Sequence, residues 1–212
     1  MTSTTAVTTF LETVTLEVSD PEAARAFYAA FGVADHIRLR AAEAPTTGFR
    51  GFTLALTVSN PATVDGFFGV AVDAGATVLK TATKSMWGYG GVVRAPDGTI
   101  WQIVTSAKKD SGPATGEVDE LVLLIGVEDV KATKQFYVDR GLTVAKSFGG
   151  KYAEFASGGT GAGTVKLALY KRRALAKLLG VAAEGSGSHC IVLGSTDGAF
   201  TDPDGFAWEA AE

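Results

Sequence analysis

Apolar and polar residues alternate along residues 12–19, with Val14, Leu16 and Val18 set against Thr13, Thr15 and Glu17. A period of two sends successive side chains to opposite faces, so this stretch is expected to form a half-buried strand. Asp20 follows as an N-cap, and Pro21 suits the first helical position, where a missing N–H costs nothing. Ala23, Ala24, Phe27, Tyr28 and Phe31 then form an apolar stripe that Gly32 ends. Strands are expected over 36–40 and 52–58, with a loop bearing Pro45 and Gly48 between them. A helix over 64–74 ends at Gly75, and a short strand covers 77–80. The Gly-aromatic loop Met86-Trp87-Gly88-Tyr89-Gly90-Gly91 leads into a strand over 92–94. A Pro-Asp-Gly turn at 96–98 opens the strand 100–105, in which Trp101 and Gln102 face opposite sides.

The pattern then starts again. Residues 121–127 are apolar almost throughout, as in a strand covered on both faces. Asp129 caps a helix carrying Ala132, Phe136 and Tyr137, and Gly141 stops it. The two caps, the two Phe-Tyr pairs and the two terminal glycines are each 109 positions apart (129 − 20 for the caps). The Pro-Asp-Gly turn recurs at a separation of 107 (204 − 97), now followed by Trp208 and Glu209. An internal repeat therefore covers the chain. The middles of the halves differ. Strands are expected over 143–148, 152–156 and 165–170, where the first half has room for about one, and a short helix over 174–179 follows. A strand over 189–193 then runs into Thr201-Asp202 with almost no spacer, where the first half keeps a helix and a strand. Two domains are expected, 1–107 and 117–212, joined by a polar linker over 108–116 that contains Pro113.

Composition limits the class of function. The 212 residues are 46% hydrophobic and 20% charged, values of a globular chain with room to bury a core. A net charge of −4 gives no footprint for nucleic acid or for an acidic membrane. The local cluster Lys171-Arg172-Arg173 reads as a solvated helix start. A single cysteine, Cys190, excludes an internal disulfide and agrees with a reducing compartment. The first ten residues lack the charge and apolar run of a secretory signal, and no stretch has the length of a membrane span. The expectation is a cytoplasmic monomer or homodimer with a small-molecule partner, and neither a nucleic-acid nor a membrane partner.

The paired signature resembles the vicinal oxygen chelate superfamily, which includes glyoxalases, bleomycin resistance proteins and extradiol dioxygenases. It consists of Val18-Ser19-Asp20, Phe27-Tyr28 and Gly32, then Pro96-Asp97-Gly98 with Trp101-Gln102, and its second copy. The resemblance implies an α+β fold of paired βαβββ modules, duplicated in tandem, whose sheets curl into a cup. In metalloenzyme members His, Gln or Glu on the inner face hold a divalent cation. Carried onto this chain, the implied ligand positions fall on Thr13, Thr53 and Gln102 in the first half. In the second half they fall on Val122, Ala168, His189 and Glu209. A Zn, Fe or Mn centre needs at least three protein ligands, and these positions offer few.

Each candidate also has a plain structural reading. Glu209 near the C-terminus reads as a relic of the fold or as a pocket residue. His189 reads as a partly buried, hydrogen-bonded histidine, and Cys190 as inert packing. On a strand the two face opposite sides, which excludes a local Cys/His nucleophile pair. Asp97 and Asp204 belong to turns, and the glycines after Trp87 precede a strand, which excludes a phosphate loop. Trp87 and Tyr89 would lie at the rim of the cup, to stack on a flat ligand or to plug the core, and Arg50 and Lys84 would steer an anion or solvate the rim. The expected ligand-binding set is thus Thr13, Arg50, Thr53, Lys84, Trp87, Tyr89 and Gln102, with no catalytic residue assigned and enzymatic activity left open. The expected function is binding of a small, flat or partly apolar organic molecule with no cofactor, as in the bleomycin-resistance branch. The alternative is a divalent-metal-dependent lyase, isomerase or dioxygenase with Gln102, His189 and Glu209 as metal ligands.

Overall fold

The computed structural model of the protein describes residues 9–158 and 164–211. The first half contains β1 (Thr13–Val18), α1 (Pro21–Phe31), a 3-10 turn (Ala34–His36), β2 (Arg38–Ala41), β3 (Thr46–Gly48), β4 (Phe52–Thr57), α2 (Pro61–Asp73), β5 (Thr77–Ser85), β6 (Gly88–Arg94) and β7 (Ile100–Thr105). The second contains β8 (Glu120–Val127), α3 (Val130–Asp139), β9 (Val144–Ser147), β10 (Tyr152–Phe155), β11 (Val165–Lys171), α4 (Arg172–Leu179), β12 (Gly185–Gly187), β13 (Ile191–Ser195), β14 (Phe200–Thr201) and β15 (Ala207–Ala210).

The repeated helices begin as their caps dictate. The Asp20 carboxylate accepts from the N–H groups of Glu22 and Ala23 at 3.1 and 3.0 Å, and Gly32 closes α1 in the left-handed region. Asp129 does the same for α3 through Lys131 and Ala132, at 2.8 and 3.2 Å. These backbone donors hold its carboxyl below the usual value. The second helix starts at Pro61 rather than 64, because Asn60 caps it by accepting from the Thr63 N–H.

Each sheet draws strands from both halves of the chain. The large sheet has the order β5-β6-β7-β4-β8-β11-β10-β9 and the small one β14-β15-β13-β1-β2, while β3 and β12 form a separate ribbon. The halves join through antiparallel β4 and β8, from Phe52 opposite Ile125 to Thr57 opposite Glu120. In the small sheet the join is antiparallel β1 and β13, with Thr13 opposite Gly194. The unequal middles now have a meaning. The two complete modules, β4-α2-β5-β6-β7 and β8-α3-β9-β10-β11, build the large sheet, and the shortened modules at the chain ends build the small one. The core lies on the helix-facing sides of both sheets and includes Leu16, Tyr28, Phe31, Leu54, Trp101, Leu123 and Tyr137.

Several boundaries depart from the alternation pattern. Strand β5 runs to Ser85 rather than 80, with register shifts after Val78 and Lys80 that the sequence does not mark. Gly88–Arg94 is one continuous strand, so the glycines of the Gly-aromatic segment lie in β6 rather than in a loop. A Cβ built on Gly90 would sit 2.6 Å from the Ile103 carbonyl oxygen, so only glycine permits this close approach of β6 to β7. The strand expected over 189–193 starts at Ile191, because Cys190 adopts φ 53° and breaks the extended run. Segments that read as loops supply β3 and β12. Among the described residues no helix is long and apolar enough to cross a membrane.

Candidate functional site

Alternation along the large sheet separates two faces. Leu54, Leu56, Trp101, Ile103, Leu123 and Leu167 join the core, so their neighbours Ala55, Thr57, Gln102, Val122 and Ala168 lie on the opposite, concave face. Part of that face is covered by α4, a helix without a counterpart in the first half. Its Leu175, Ala176 and Leu179 pack against Val92 and Ile100, with Leu124 and Tyr170 beside them.

The uncovered part is a cleft of about 520 Å³ between the β5–β6 hairpin, β7 and the end of α4, lined by Thr57, Thr83, Trp87, Gly90, Gln102 and Leu178 among others. Among the described residues Lys80 is its one charged lining residue, and the ammonium is already engaged. It donates to the carbonyls of Lys177 and Leu178 at 3.2 and 2.5 Å, capping the C-terminus of α4 and pinning the hairpin to it. Gln102 is only 8% exposed, and its carboxamide has no hydrogen-bond partner among the described residues. Trp87 stands at the hairpin tip, 83% exposed, on a turn held by Ser85 Oγ, which accepts from the Trp87 N–H.

The remaining expected residues are placed as follows. Tyr89 lines the cleft, but its hydroxyl donates to Asp65 of α2 at 2.7 Å. That bond to Asp65, with smaller contributions from burial and the Asp65 charge, pushes the phenol up to about 12. Lys84 is exposed opposite Tyr89 on β5 and is not part of the cleft. The hydroxyl of Thr53 is buried and donates to the Ile100 carbonyl at 2.9 Å. Arg50 donates to the Asp97 carbonyl at 2.6 Å, away from the cleft. Thr13 belongs to the small sheet.

Across the concave face from Gln102 lies a polar cluster that the sequence pattern does not reveal. Tyr152 donates to buried Glu154 at 2.6 Å, Lys146 lies 3.4 Å from the same carboxylate, and Lys166 pairs with Glu120. Burial first, then the bond to Glu154, pushes the Tyr152 phenol up, so it stays a donor. Between this cluster and Gln102 the floor is small and apolar, formed by Ala55, Val122 and Ala168.

The donors at the fold's ligand positions do not make a metal centre. In the large sheet Thr53 is committed to a carbonyl and Val122 and Ala168 have no donor atom, which leaves Gln102 alone. His189 and Glu209 lie near the small sheet and are not brought to Gln102. His189 stacks on Phe206 with ring centroids 4.0 Å apart. Its Nδ1 faces the Arg50 carbonyl at 2.5 Å and its Nε2 the Asp204 carbonyl at 3.2 Å, so both nitrogens are directed at backbone oxygens rather than at an open ligand position. Glu209 accepts from Arg40 at 2.9 Å, and Arg40 also pairs with Glu17. No group of three or more His, Cys, Asp or Glu that could hold a metal occurs among the described residues.

No family model matches the sequence, and no curated protein matches it. Solved structures do resemble the fold. Glyoxalase I from Zea mays is 13% identical with a TM-score of 0.60, over 95% of this chain and 91% of that one. A candidate dioxygenase from Bacillus subtilis subsp. subtilis str. 168 is 12% identical with a TM-score of 0.57, over 95% and 84%. At such identities the likeness is one of fold. With its paired βαβββ modules, two sheets built from both sequence halves and end-to-end correspondence to glyoxalase I, the protein has the vicinal oxygen chelate fold.

Proposed function

We propose that the protein binds a small, uncharged, flat organic molecule in the cleft over Gln102, held by protein groups without a metal. The carrying observation is the Gln102 carboxamide, 8% exposed, unpartnered and lining a cleft of about 520 Å³. A ligand carrying both a donor and an acceptor can pair with both ends of this carboxamide, each hydrogen bond contributing about 0.5–1.5 kcal/mol. The ligand is uncharged because the one lining cation, Lys80, is spent on α4. It is flat because Trp87 offers an exposed indole face at the rim, and base-free aromatic stacking contributes about 0.5–1.5 kcal/mol. This reading keeps the small-molecule cup of the fold and leaves the metal-dependent lyase, isomerase or dioxygenase as the outcome that would displace it.

The test is calorimetric titration of the purified protein with a panel of neutral aromatic amides and lactams. Binding that weakens about tenfold or more in Gln102→Leu and in Trp87→Ala supports the reading. Loss of a buried-amide contact in Gln102→Leu with no change in binding sinks it. So does elemental analysis showing one tightly held divalent metal per chain.

A further inference from the structure

A second cleft, of about 350 Å³, lies between the β3–β12 ribbon and the start of α4, and its lining includes Thr46, Phe49, Arg50, Arg172, Ser186 and His189. We propose that it is a binding site for a small oxyanion, the phosphate or carboxylate group of a metabolite. The argument is one of unmet charge. Arg50 and Arg172 are both half-buried, and neither forms an ion pair among the described residues, in a chain whose net charge is −4. Arg172 is fixed by donating from Nε to the Ala183 carbonyl at 3.1 Å and from Nη2 to the Phe49 carbonyl at 2.6 Å. Its guanidinium carbon lies 5.2 Å from the centre of the Phe49 ring. Neutral carbonyls and a ring position this cation without neutralising it.

Two further donors are left over. Arg50 Nη1 and Thr46 Oγ1 are buried with no hydrogen-bond partner among the described residues. Orphaned buried donors are rare, and an ion that accepts from them is a standard resolution. His189, also in the lining, is held in place with both ring nitrogens facing carbonyl oxygens. Against these groups stands, among the described residues, a single lining carboxylate, that of Glu184, which is exposed. A planar guanidinium fork matches the two oxygens of a carboxylate or phosphate, which a halide cannot reproduce. The cleft shares no lining residue with the one over Gln102, so the two sites stand or fall separately.

Inorganic phosphate and acetate are titrated separately into the full-length protein at constant ionic strength held with chloride, and binding is followed by calorimetry and by the amide resonances of 46–50 and 183–189. Saturable one-to-one binding of either anion, weakened about tenfold in Arg50→Gln and several-fold in Thr46→Val, supports the site. The stronger of the two anions identifies the headgroup. Thr46→Val removes a hydroxyl without a protein partner and so leaves the fold intact, which circular dichroism confirms. Gln102→Leu should bind phosphate or acetate as the wild type does. Equal binding by wild type, Arg50→Gln and Thr46→Val overturns the proposal, as does no saturable effect of either anion beyond that of chloride.

Discussion

Tyr28 Oη donates to Asp97 Oδ2 at 2.7 Å, joining two residues 69 positions apart. This bond explains why the Phe-Tyr pair near the end of the helix and the Pro-Asp-Gly turn travel together in the sequence. The turn's carboxylate is the lock that fastens α1 to the strand behind it, and Trp101 completes the joint 5.8 Å from the Tyr28 ring. In the second half the lock is rewired. Tyr137 donates to Asp202, the residue before Pro203, at 2.5 Å. Asp204, the repeat partner of Asp97, instead accepts from Thr133 and from the Glu128 N–H at 2.6 and 2.7 Å. Burial is the first cause that pushes both phenols well above their usual value, so both remain protonated donors.

Removing the second lock should produce a pH-dependent loss of stability. Burial is also the main reason the Asp202 carboxyl is raised above its usual value, opposed by the bond from Tyr137. A group raised on folding contributes stability that is fully present below its unfolded value and is lost as pH rises through its folded value. In Tyr137→Phe the ionised carboxylate loses a donor, so at pH 7 the variant should be less stable by about 1–3 kcal/mol. The deficit should shrink as pH falls toward the ordinary carboxylate range, where Asp202 is protonated. Urea unfolding at pH 7 and pH 4 measures this, and a deficit independent of pH would count against the assignment.

The locks also show what could be read from residues alone. Caps at Asp20 and Asp129 and the closing strands are local signals found where the pattern puts them. The apolar stripes are found in part: Ala23 and Ala132 are exposed, and α3 buries Val130 and Thr133 beside Tyr137. The division of strands between sheets is not local. It depends on β4 meeting β8 and β1 meeting β13, pairings that an alternating pattern satisfies equally well with several partners. Gln102 was legible as a concave-face residue because Trp101 beside it had to be core. Thr57 could have been found the same way, from the alternation of β4. The turn at Cys190 was not legible, since a positive φ without glycine leaves no mark in the sequence, and it removes His189 from the strand. The helix α4 was legible as a short helix over 174–179 and begins two residues earlier, at Arg172. Its seat on the concave face was not legible, since the first half has no copy of it to show where it packs.

Arg40 should contribute modestly and electrostatically. It bridges Glu17 and Glu209 at 2.8 and 2.9 Å, and its side chain is 43% exposed. Exposed pairs contribute about 0.2–1 kcal/mol, so Arg40→Met should cost no more than about 1 kcal/mol. That cost should fall in 1 M salt, where the screening length is about 3 Å. Thermal unfolding at low and high salt checks it; a larger, salt-insensitive loss would mean the side chain is held by packing.

Tyr89 should titrate late. Its bond to Asp65 pushes the phenol up to about 12. An ultraviolet difference titration should therefore contain one phenol with a midpoint near 12, assigned by its disappearance in Tyr89→Phe. In Asp65→Ala that midpoint should move back toward about 10. An unchanged midpoint would place the cause elsewhere.

The two faces of α4 should respond unequally to truncation. Leu175 is fully buried against the concave face, whereas Leu178 is 43% exposed and lines the cleft. Leu175→Ala removes buried methyl groups and leaves a cavity, which costs about 2–5 kcal/mol. Leu178→Ala should cost less than about 1 kcal/mol, because little of its surface returns to water. Lys80→Met should fall between them: it frees two carbonyls at the end of α4, each bond contributing about 0.5–1.5 kcal/mol. Urea unfolding of the three variants gives the order directly. If Leu175→Ala and Leu178→Ala lose the same stability, α4 is not seated in the cup. The whole concave face would then be open to a ligand much larger than the cleft over Gln102 can hold.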